Sequence, residues 1–199
     1  MRWIMLAGTV LLGVVAGCEN PDAPAEASRP ARAVDSLLPR DEAVRRFRVG
    51  LPPVDTLRAG AASRDALMAS FIRALGAADT AALVDLAITQ PEFAYLYYPT
   101  AARGLPPYDL EPGLMWFMLF EESNQGIRRA LQAYGGTPAR LLDYDCGAGA
   151  LREGENRIYG PCTVRWRAER GDTISARLVS QILEREGKFK ILSYANKLR

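Results

Sequence analysis

Three kinds of side chain in this sequence can do chemistry, and their spacing limits what kind. Cysteine stands at 18, 146 and 162. A thiol can be acylated, joined to a second thiol, or made nucleophilic by a lowered pKa, but redox pairs are commonly spaced CxxC, and these three are far apart. Asp143 and Asp145 lie two residues apart in an alternating stretch. A strand there puts both carboxylates on one face and Tyr144 on the other, so the three do not readily converge for acid/base work. A solvated sheet face is the simpler reading of the pair, and Asp85, on a short helix, reads as surface. The aromatic residues form the third group. Most will fill a core, while Tyr95, Tyr97, Trp116, Tyr144 and Tyr159 are the candidates to line a ligand cavity. A tyrosine there supplies apolar area and one hydrogen bond. Arg165 and Arg167 alternate with Val164 and Trp166, which gives either a solvated sheet face or an anion-binding one.

The residues that are missing exclude whole classes. The chain has no histidine, which removes Ser-His-Asp and Cys-His nucleophile systems and every zinc site that needs imidazole. Three dispersed cysteines are too few for a structural zinc cluster, so neither a metal nor a cofactor is expected. Lys and Arg number 25 against 23 for Asp and Glu, a net charge of +2 that gives no electrostatic footprint for nucleic acid. The 199 residues, 49% hydrophobic, suffice for one domain with extensions.

Export is written into the first residues. Arg2 precedes the apolar run Trp3 to Val15, too short to span a bilayer, and small residues Ala16 and Gly17 follow. The tetrapeptide Val15-Ala16-Gly17-Cys18 resembles the lipobox of bacterial lipoproteins. That resemblance implies cleavage before Cys18, acylation of its sulfur, and a membrane partner reached through the lipid. Glu19 follows where Asp is associated with inner-membrane retention in enterobacteria, which favours the outer membrane, facing the periplasm. Residues 1–17 are then a signal peptide. Residues 18–40, rich in Pro, Ala and Arg, are the lipidated cysteine with a disordered tether. Residues 41–60 read as a short helix, with Val44, Phe47 and Leu51 on one side, and a linker begun by Pro52-Pro53.

The folded domain is expected over 61–199. Ser63 is a plausible N-cap for a helix whose Leu67, Met68, Phe71, Ile72 and Leu75 share one face. Asp79 or Thr80 caps a second, Phe93 to Tyr98 suits a short strand or extended segment stopped by Pro99, and Pro112 opens a long helix ended by Gly135-Gly136. The period then changes to two, and strands are expected at 140–146, 157–168, 173–185 and 189–194. Residues 147–156 read as a mobile hairpin loop. In an oxidising compartment Cys146 and Cys162, on consecutive strands, can form a structural cross-strand disulfide.

The order helix, helix, extended segment, long helix, antiparallel meander resembles the NTF2-like (cystatin-like α+β) superfamily. So does the closing Gly187-Lys188-Phe189-Lys190-Ile191-Leu192-Ser193-Tyr194. The resemblance implies an α+β fold in which two or three N-terminal helices pack on a curved antiparallel sheet of four or more strands, leaving a conical cavity. Fold alone does not choose a function. The expected role is a lipid-anchored envelope protein that binds a small apolar ligand or an envelope protein, with homodimerisation through the sheet as a further option. The alternative is a cavity enzyme of the isomerase or hydrolase kind, which needs an Asp buried beside tyrosines.

Overall fold

The computed structural model describes residues 38–169 and 171–198. The signal peptide, Cys18 and nearly all of the expected tether lie outside the described residues. Among the described residues no helix is long and apolar enough to cross a membrane.

The protein is α+β, with helices in its first two thirds and two antiparallel sheets in its last third. Helix α1 (Arg40–Phe47) packs on α5 (Pro112–Tyr134). Arg40 donates to the carbonyl oxygens of Pro99 and Gly104, each at 2.9 Å, and Leu57 is buried. Residues 41–60 therefore belong to the compact body, which runs from Leu38 to Arg199; the boundary expected near Ala61 falls inside it. The physical reason is that Phe47 packs edge-on against Phe93, 5.8 Å between ring centres, an anchor that the residues around it do not reveal.

Helix α2 (Arg64–Gly76) starts where Ser63 accepts from the Ala66 N–H, and α3 (Thr80–Asp85) where Asp79 accepts from Ala82. The segment expected as a strand, Phe93 to Tyr98, is helical. A short turn, α4 (Gln90–Glu92), opens with a capping box between Thr89 and Glu92 and widens into a π-turn (Phe93–Tyr97) and a 3-10 turn (Tyr98–Thr100). Five of those six aromatic and apolar residues are buried, and Tyr95 is half-buried. A short run buried all round has no periodicity to tell helix from strand, and here the cap decides.

Strands β1 (Ala139–Asp145), β4 (Cys162–Ala168) and β5 (Thr173–Val179) form one sheet in the order β1-β4-β5. Strands β2 (Leu151–Glu153), β3 (Asn156–Tyr159), β6 (Gln181–Arg185) and β7 (Lys188–Ser193) form the other in that order. Each of the two long strands expected from the sequence is thus broken, one at Gly160-Pro161 and its partner at Ser180. Gly160 has φ 129°, and a Cβ there would overlap the Ser180 carbonyl, so the break needs glycine. The presumed loop 147–156 carries β2 and the β2–β3 turn, with Glu153 and Asn156 buried. The expected bond between Cys146 and Cys162 is present, and it joins the end of β1 to the start of its neighbour β4.

Two apolar clusters result. The larger lies between α2, α3, the second half of α5 and the inner face of β1-β4-β5, around Phe71, Trp166, Leu178 and Tyr194. The smaller gathers Leu57, Ile88, Phe93, Leu96, Tyr97, Tyr98, Met115, Leu183 and Leu192. Strand β7 serves both: Ile191 faces the first cluster and Leu192 the second. The free edge of β7 is covered on each side of Lys190, where Ala61 exchanges both backbone hydrogen bonds with Phe189 and Ile88 donates to Ile191.

Candidate functional site

Lys190 is the residue that the pleat of β7 makes unusual. It shares a face with Leu192, and its side chain is only 4% exposed. Its Nζ donates to Glu92 Oε2 at 3.0 Å, and the Glu92 side chain is fully buried. A buried charge is costly unless it is paired and hydrogen-bonded, and Glu92 is both. Its Oε2 also accepts from the Thr89 N–H at 2.7 Å and the Thr89 hydroxyl at 3.0 Å, while Oε1 accepts from the Arg58 N–H at 2.7 Å. Four donors therefore hold one carboxylate. The ammonium has three N–H groups, one of which goes to Glu92.

Lys190, one half of this pair, lines a groove of about 560 Å³ between α5, the α3–α4 connection and β7. Trp116, Leu119 and Phe120 come from α5, Val84 and Ile88 from the opposite bank, and Leu192 from the strand. Arg58, Asp85 and Gln90 provide a polar margin. Val84 and Phe120, which line it, are 48% and 46% exposed, so the groove opens to solvent over apolar side chains. The volume and the apolar lining with few polar groups are those of a small-molecule site. A second hollow, about 870 Å³, between α5, β5 and residues 195–198 is lined largely by polar and charged groups, Arg129, Arg177 and Lys197 among them.

The five aromatic residues expected to share a cavity do not. Trp116 lines the groove. Tyr95 lies beneath the Arg48 guanidinium, 4.5 Å from its ring centre. Tyr97 is buried, and burial together with the adjacent Glu153 carboxylate pushes its phenol well above the ordinary tyrosine value. Tyr144 donates to Asp65 Oδ1 at 2.5 Å; burial first, then that bond, raise its pKa to about 12. Tyr159 donates to Glu184 Oε2 at 2.7 Å and carries Arg64 over its ring at 4.3 Å. These residues are separated because the first cluster, the second cluster and the sheet face each claim some of them.

The carboxylates also sort differently from expectation. Every Asp among the described residues is exposed, so none stands buried beside tyrosines as the acid/base reading requires. Asp143 pairs with Arg165, whose guanidinium holds it below its ordinary pKa, and Asp145 accepts from the Gly147 N–H. The outer face of β1-β4-β5 is solvated, with Arg140 directly opposite Arg167. The buried acids are Glu92, Glu153 and Glu184, none of which the alternation pattern singles out. Thr89-x-x-Glu92 has the spacing of a capping box and could have been read as one. Lys190, between Phe189 and Ile191 in β7, offered only the oddity of a charge between two buried-looking neighbours. Comparison of the chain with protein-family models, with curated proteins and with solved structures returned no match.

Proposed function

We propose that this protein is a binding protein of the bacterial cell envelope, anchored through Cys18 and holding a small, mainly apolar molecule in the groove along α5. The observation that carries the reading is the groove itself: apolar banks exposed to solvent, with Lys190 of the buried ion pair in its wall. Leaving such a surface wet is unfavourable at roughly 25 cal/mol per Å², and an apolar ligand that covers it recovers that energy. Anchoring rests on Val15-Ala16-Gly17-Cys18, and an NTF2-like architecture rests on the element order and the closing strand. No acid/base set is needed for this role.

Native mass spectrometry of protein extracted from its own membrane tests the binding. A defined small-molecule mass that Leu119→Trp abolishes is expected; equal occupancy in the variant would overturn the groove as the site. Cys18→Ala is expected to leave the chain unprocessed or to release it from membranes. Fractionation as tight as wild type after a carbonate wash would overturn the anchor.

A further inference from the structure

We infer that the ligand is a monoanionic amphiphile, an organic acid with an apolar body, and that Lys190 receives its acid group. This rests on the groove being a ligand site.

The argument turns on how the hydrogen bonds around Glu92 are distributed. Thr89 and Arg58 already supply three donors to the carboxylate from the backbone and one hydroxyl. Glu92 is therefore held without depending on Lys190 alone, and the lysine is the partner with capacity left. One of its three donors is assigned. Its side chain, 4% exposed, borders the groove, where Trp116, Leu119, Ile127 and Leu192 form apolar walls interrupted on α5 by Ser123 and Asn124. A ligand that filled the groove with carbon alone would leave those donors facing hydrocarbon, at the cost of an unmade hydrogen bond to a charged group. A carboxylate or another single acid group ends that deficit by accepting from the N–H groups of Lys190 that Glu92 leaves, beside Arg58 and Asp85 at the margin. A cationic headgroup brings no acceptor to those N–H groups and is opposed by Lys190 and Arg58, with Asp85 at the margin acting in the other sense. The apolar body then lies along Leu119 and Phe120 toward the solvent side of α5.

The test compares probes of one chain length. Decanoate, decanol and decyltrimethylammonium are titrated into the folded protein with calorimetry and indole fluorescence as readouts. Charge-assisted hydrogen bonds to one acid group predict decanoate about ten- to a hundredfold tighter than decanol, with the cation weakest. Lys190→Arg should keep the preference. Glu92→Gln/Lys190→Met, which removes both charges and so avoids a lone buried one, should bring decanoate down to the level of decanol. Equal binding of acid and alcohol to wild type, or an unchanged preference in the double variant, overturns the acid assignment while leaving the apolar groove as a site. Absence of binding by all three probes, with Leu119→Trp indistinguishable from wild type, overturns the groove reading itself.

Discussion

The two buried clusters of this protein are built on opposite principles. The larger, under β1-β4-β5, is nearly all hydrocarbon, and a disulfide fastens its sheet at one end. The smaller, beneath the aromatic turn after α4, encloses charge: Glu92 with Lys190, Glu153 beside Tyr97, and Asn156 donating to Leu96 O and Thr100 Oγ1. A hydrocarbon core tolerates rearrangement of its side chains provided volume is kept, whereas a buried polar network loses stability with each member left unsatisfied, as Glu153 Oε2 is here. The groove lies against the second kind of core. Placing it there gives the site an exactable geometry at the risk of fragility, and the difference can be measured.

The largest effect should come from Lys190→Met. Glu92 would keep its backbone and hydroxyl donors but lose its counter-ion inside the protein, and breaking a buried pair from one side costs about 3–5 kcal/mol. Urea unfolding should show that loss, and the double change Glu92→Gln/Lys190→Met should recover part of it. A single-variant loss below about 0.5 kcal/mol, inside the ordinary range for a surface substitution, would mean that the second cluster is not dry.

Next is the disulfide. The bond closes a loop with a sequence separation of 16, and its reduction should lower stability by about 3 kcal/mol in the chain-entropy account. Far-ultraviolet circular dichroism at low temperature should be unchanged, because β1 and β4 remain paired along their length. Loss of secondary structure on reduction would show that the first cluster depends on its staple as strongly as the second depends on its ion pair.

Gly126→Ala probes the seam between the clusters. Helix α5 gives Met115 and Trp116 to one cluster and Ile127 and Ala130 to the other, and at Gly126 it passes so close to Tyr194 that a Cβ would overlap the carbonyl oxygen. Forcing that methyl in should cost about 1–3 kcal/mol despite the better helix propensity of alanine. A stabilised variant would refute the close approach.

The effect that is smallest at neutral pH, and grows only in alkali, is the response of the tyrosines. Tyr97 and Tyr98 in the second cluster, and Tyr144, Tyr159 and Tyr194 around the first, all have raised pKa values, chiefly through burial except for Tyr159, where the bond to Glu184 leads. A phenol with a raised folded-state pKa contributes stability that is intact below its unfolded value near 10 and declines as pH climbs toward the folded value. Stability should therefore be level up to about pH 10 and fall between there and about 12, where Tyr144 titrates. Absorbance at the phenolate band, followed beside unfolding, checks this; five tyrosines ionising together at their ordinary value would overturn it.

Much of the architecture was legible from residue order. The caps at Ser63 and Asp79, the apolar face of α2, the long helix opened by Pro112 and the change to a period of two are local features, and local hydrogen bonding and pattern dictate them. The neighbourhood of β1 and β4 also followed, because two cysteines on consecutive strands admit few arrangements. The breaks at Gly160 and Ser180 were not legible, since each depends on the other strand. Nor was the helical state of Phe93 to Tyr98, whose burial on all sides erases the periodic signal.

The candidate site was almost wholly a tertiary decision. Sequence alone assigned Trp116 to a cavity and gathered four tyrosines with it that the fold scatters. It offered no reason to join Glu92 to Lys190, which stand 98 residues apart. A carboxylate in a helix-opening turn and a lysine in a closing strand each look like solvated charges until the chain brings them together. Charge and hydrogen-bonding capacity belong to the residue, and the sequence determines them; burial and partnership belong to the packing. Only the fold decides whether a charge meets water, a counter-ion, or the open side of a groove.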